Sequence, residues 1–112
     1  MIDLDRTLAA LSDPTRRNVV DLLRKKPRCA GEIATSLDVS APALSRHLRV
    51  LRSTGLVEEA HHDDDARVHM YRLRPEPFHA LRAWLDEVET FWTRELDAFK
   101  AHAERTRGKG RR

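Results

Sequence analysis

The chain has 112 residues, with 21 Lys and Arg against 18 Asp and Glu and a formal net charge of +3. That length suits one compact domain, and no apolar run approaches the roughly 20 residues that cross a bilayer. The acidic N-terminus lacks the apolar segment of a secretory signal, and one cysteine, Cys29, offers no intramolecular disulfide, so a soluble cytoplasmic protein is expected.

Leu4, Leu8 and Leu11 recur at helical spacing and predict a short first helix from Asp3. Asp13-Pro14 marks the start of a second, because Asp caps well and proline at the first helical position loses no hydrogen bond. It is expected to run to about Lys25, burying Val19, Leu22 and Leu23, before Pro27. A third helix is predicted from Cys29 or Ala30 to Leu37, with Ile33, Ala34 and Leu37 inward. After a turn at Asp38-Val39, Ser40 caps a fourth helix whose inner stripe is Leu44, Leu48 and Leu51 and which ends at Gly55. The period then changes to two, giving strands over 56–60 and 67–73 joined by a polar turn, a β-hairpin. Pro75 opens a last helix with Leu81, Trp84, Leu85, Val88, Phe91, Trp92, Leu96 and Phe99 in steps of three and four. Residues 105–112 carry five positive charges and no apolar residue and are expected to be a disordered basic tail, leaving a domain over 1–104.

The charge is segregated. Residues 14–57 hold nine Lys or Arg and three acids, whereas 58–65 hold five acids and 75–104 seven acids against three bases. No acid lies between Val39 and Val57, and the outer face of the fourth helix presents Ser45, Arg46, Arg49 and Arg52. A capped pair of short helices followed by a hairpin is a winged helix-turn-helix, mainly α, in which the second helix enters the DNA major groove.

On that reading Ala41, Pro42, Ser45 and Arg46 meet base edges. Ser40, His47, Arg49 and Arg52 lie near phosphate, and Arg67 in the second strand reaches toward the minor groove. Arg16 and Arg17 can touch phosphate, but Asp13 and Arg17 lie four apart at a helix start and can pair, so a structural role is expected for one of the two arginines. Asp63, Asp64 and Asp65 at the wing tip would be repelled by DNA. The last-helix stripe, joined by Leu4 and Leu8, exceeds what one small domain can cover and predicts a homodimer. No nucleophile–base pair or carboxylate dyad stands out, so no enzyme is expected, and no cofactor is implied.

The segments Ala10 to Arg17, Gly31 to Ala34, Ser40 to Arg52 and Gly55 to Val57 resemble the ArsR/SmtB family of bacterial winged-helix repressors. The resemblance implies homodimers joined through terminal helices that repress promoters until an inducer releases them. It also locates the metal sites of the sensing branches. The thiolate site falls on Cys29, Gly31 and Ala34. The last-helix site would need a histidine where Val88 stands, two places after Asp86, and a histidine or glutamate where Arg105 stands, three places after His102. Neither ligand set is present, which places the chain in the branch without metal sites. His61, His62 and His79 read as surface residues. Two alternatives stay open: a winged helix that docks an acidic protein, and a repressor that responds to thiol oxidation or metal through Cys29.

Overall fold

The computed structural model describes residues 3–62 and 65–109; the side chains of 61, 62, 65–68, 108 and 109 lie outside the description. Two compact units are present, residues 1–80 and 81–112. The division falls inside the last helix.

In the first unit, α1 (Leu4–Leu11), α2 (Pro14–Leu23), α3 (Ala30–Leu37) and α4 (Ala41–Ser53) surround one core. The capping expectations hold at Asp13 and Ser40, and Asp3 caps as well: each accepts a backbone N–H three residues on. These bonds satisfy donors that a helix start leaves without partners. Val19, Leu23, Ile33, Leu44, Leu48 and Leu51 are buried as their spacing predicts, with Leu56 and Val57 added from the segment after α4. Leu22, Ala34 and Leu37 pack half-buried against this cluster. α2 ends at Leu23, two residues before the expected Lys25.

Two positive-φ residues shape the α3–α4–wing segment. Asp38 ends α3 at φ 53, letting Val39 N–H reach Ala34 O at 3.0 Å. Gly55, at φ 76, does the same after α4, with Leu56 N–H on Leu51 O and Gly55 N–H on Arg52 O, both 3.0 Å. Each closes the carbonyls of a last helical turn and reverses the chain. Glycine bears the left-handed conformation without steric cost; Asp38 carries a Cβ there.

The hairpin strands are β2 (Val57–His62) and β3 (Asp65–Leu73), both longer than expected, with Ala60 opposite Met70 and a register shift between His61 and His62. The sequence reading missed a third strand, β1 (Arg28–Cys29), which pairs with β3 through Arg28 opposite Tyr71 and Cys29 opposite Met70. The order is β1-β3-β2, antiparallel. A two-residue strand has no alternation to detect; only pairing defines it.

α5 runs Pro75–Lys109. Residues 105–109 are therefore helical, against the expected disordered tail. Ala, Glu and Arg dominate 101–107, and no residue before Gly108 opposes helix. In the second unit the apolar stripe stands open: Trp84, Leu85, Val88, Phe91, Trp92, Leu96 and Phe99 are 37–72% exposed.

Candidate nucleic-acid interface

α4 is held from three directions, and that grip decides which of its side chains remain available. Its inner stripe packs in the core. Its C-terminal end is tied to α1, because Arg6 donates from Nη2 to Ser53 O at 3.3 Å. Its middle leans on the α1–α2 corner through His47. That side chain is largely covered, with Nδ1 3.5 Å from Arg16 Nη1 and 4.0 Å from Asp13 Oδ1. His47, named with the residues expected near phosphate, therefore leans on the α1–α2 corner.

The Asp13 carboxyl is held below the ordinary carboxylate range, first by the backbone N–H of Arg16, with smaller help from the His47 and Arg16 charges. Arg16 continues the chain of contacts, donating from Nε to Ala10 O at 2.6 Å and from Nη2 to Ala9 O at 3.2 Å. Arg17 donates to Leu11 O and Ser12 O. Both arginines close the C-terminal carbonyls of α1 and its exit. The expected Asp13–Arg17 pairing gives way to these bonds, and both side chains serve the helix corner.

The outer face of α4 carries Ala41, Pro42, Ser45, Arg46 and Arg49, all exposed. Among the described residues no acid pairs with Arg46 or Arg49. Ala41, Ser45, Arg49 and Arg52 line one shallow cavity of about 250 Å³, with α3 on its far side and Tyr71 among its walls. Burial, and secondarily the Glu59 charge, raises the Tyr71 hydroxyl pKa.

Arg52 stands differently from its neighbours. Its Nη1 lies 3.0 Å from Glu59 Oε2 on β2, and the same carboxylate also contacts His69 Nδ1 on β3. The sequence reading missed Glu59. It lies in the acidic block after α4, and only the strand register brings it back beside the helix. Arg72 and Arg74 both reach Glu58 in the same way. The wing root is thus bound by ion pairs, which occupy the cation expected to meet phosphate at Arg52. Arg67 belongs to β3, but its side chain lies outside the described residues, as do Asp63 and Asp64.

Cys29 caps α3, half-buried, with Sγ donating to Glu32 Oε1 at 3.2 Å and its backbone N–H reaching the same oxygen at 3.5 Å. The thiol and then the backbone N–H lower the Glu32 carboxyl pKa.

A capped helix presenting small and basic side chains beside a β-wing occurs in many regulators, and comparison with known proteins narrows it. Residues 13–59 match the family described as "Bacterial regulatory protein, arsR family". HTH-type transcriptional regulator Rv2034 of Mycobacterium tuberculosis is 41% identical over 95 residues, covering 85% of this chain and 83% of that protein. The arsenical resistance operon repressor of Staphylococcus xylosus is 32% identical over 88 residues, covering 79% and 82%. The chain belongs to the arsR family. Among solved structures, an ArsR-like transcriptional regulator from Rhodococcus sp. RHA1 matches with a TM-score of 0.76 and 33% identity, covering 90% of each chain. This arsR-family chain is a DNA-binding transcriptional regulator of winged-helix fold. Among the described residues no helix is long and apolar enough to cross a membrane.

The family's thiolate metal site does not fit this chain. Of its three positions only Cys29 carries a donor, Gly31 and Ala34 having none, and the Cys29 thiol already bonds Glu32. One thiolate does not hold a thiophilic ion tightly.

Proposed function

We propose that the chain acts as a homodimeric repressor in the cytoplasm, binding a two-fold operator upstream of its own gene, with no catalytic role. The observation that carries the reading is the exposed, acid-free face of α4, where Arg46 and Arg49 have no ion-pair partner among the described residues. Ala41, Pro42, Ser45 and Arg46 occupy the first two turns of α4. At that end of a recognition helix, arginine pairs with guanine, serine hydrogen-bonds several bases, and small apolar groups pack on thymine methyls. Arg49 follows one turn on from Arg46 and contacts phosphate; the Ser40 backbone at the helix start offers a further N–H to phosphate. Arg52 works through Glu59, fixing the wing against α4.

Dimerisation is supported by the open stripe on α5, which a two-fold interface buries. The named relatives are transcriptional regulators and operon repressors, which agrees with repression. Footprinting of the upstream DNA tests the reading. The expected result is two symmetry-related protected half-sites with centres about one helical turn, roughly 34–36 Å, apart. A single asymmetric footprint, or protection of every duplex alike, would overturn it.

A further inference from the structure

A second cavity lies within the first unit, away from the α4 face. It is an open groove of about 600 Å³, bounded by the end of α2, the end of β3 and the first turn of α5. That volume falls within the range of small-molecule sites, about 300–1,000 Å³. Its floor is apolar: Val20, Leu23, Leu73, Pro75 and Phe78, all contributed by elements of the same unit. Its rim is cationic: Arg24, Lys25, Lys26, Arg72 and Arg74, with no acid among the lining residues.

Three of these cations are engaged. Arg24 pairs with Asp21, Arg72 with Glu58, and Arg74 with Glu58 and Glu76. Lys25 and Lys26, exposed just beyond the C-terminal end of α2, have no ion-pair partner within 4 Å among the described residues. The negative end of the α2 dipole favours cations at that place, and Lys26 also acts on the Glu32 carboxylate, yet no acid stands among the residues lining the groove. Floor and rim together select for a molecule with an apolar body and one anionic head.

We propose that this cavity binds a small amphipathic anion, an acyl or aryl carboxylate, with its chain on Leu23, Leu73 and Phe78 and its head at Lys25 and Lys26. Such a ligand also acts as the effector of operator binding, a role that, unlike the binding itself, rests on the repressor reading above. The cavity joins α2, which supports α4 through Asp13 and Arg16, to β3 of the wing and to the start of α5. Filling it therefore bears on the elements that place the recognition helix.

The test is calorimetric titration of the full chain with decanoate below its micellar concentration, beside decylammonium of equal chain length. Both are repeated on the double variant Lys25→Glu/Lys26→Glu and on the control Lys100→Glu, an exposed charge reversal on α5 outside the cavity. The expected result is saturable binding of one decanoate per chain and weaker decylammonium. The double variant should lose at least tenfold in decanoate affinity, and Lys100→Glu should bind as the parent does. Absence of saturable decanoate binding, or equal affinity in the double variant, overturns the site. A double variant whose oligomeric state shifts while decanoate fails to bind the parent assigns the groove to a second copy of the chain and likewise overturns it. Operator release measured on the same samples settles the effector role: release at saturating decanoate supports it, and binding without release overturns that role alone.

Discussion

Arg46 and Arg49 stand one turn apart on the same exposed helix face, and their positions assign them different work. Arg46→Ala should cost roughly 1–3 kcal/mol at one base pair and relax specificity there, whereas Arg49→Ala should weaken all sequences alike and lower the salt slope by about one. Binding measured on an operator set varied one base pair at a time separates the two; identical profiles would make both phosphate contacts. At the opposite side of the helix, Asp13 caps α2 through the Arg16 N–H and meets the half-buried His47 of α4. Its pKa is lower in the folded chain than in the unfolded one, so its contribution is complete at neutral pH and is lost as pH falls from about 5 through the carboxylate range. Asp13→Asn keeps a capping side chain and removes the charge. Urea midpoints between pH 7 and pH 3 should fall less steeply in this variant than in the parent; parallel curves would mean that the charge contributes nothing. The Asp13 cap was legible in the sequence, because capping is local. The roles of Arg16, Arg17 and His47 were not, since each depends on which carbonyl or ring the tertiary packing brings within reach.

Among the elements, the helices declared themselves through spacing and caps, and the inner stripe Leu44, Leu48, Leu51 is buried as read. What spacing cannot reveal is pairing across the chain. β1 exists only because Arg28 and Cys29 meet β3, and Glu59 becomes the partner of Arg52 only through the hairpin register. The acidic block after α4 is therefore not all of one kind: Asp63 to Asp65 read as repelled by DNA, while Glu58 and Glu59 neutralise the wing root. Glu59→Gln should release Arg52 and steepen the salt dependence of DNA binding by up to about one unit of slope. An unchanged slope would show that Arg52 already faces phosphate despite its pairing. α5 poses the complementary case: its apolar period was plain, and its exposed stripe predicts a self-association surface. Phe91→Glu, 62% exposed in the parent, should convert a dimer to a monomer in sedimentation with the helical signal retained. A monomeric parent, or a variant that stays dimeric, would refute that surface.

At the scale of the whole molecule, the net charge of +3 understates how the chain is divided. Five positive charges lie in residues 105–112, acids predominate on the hairpin and over 75–104, and the basic stretch of 14–57 contains α4. Within that stretch Arg16 and Arg17 close a helix corner and Arg52 meets Glu59, so the charge left open on the recognition helix is concentrated at Arg46 and Arg49. A strongly basic surface would favour any duplex; two open arginines beside small apolar and hydroxyl groups favour particular ones. The most direct test is titration of the full chain against its own upstream DNA and a scrambled duplex at two salt concentrations. The account predicts saturable binding to the upstream DNA at both, with a preference over the scrambled duplex that persists as salt rises. Equal, weak binding to both duplexes that disappears at the higher salt would contradict it.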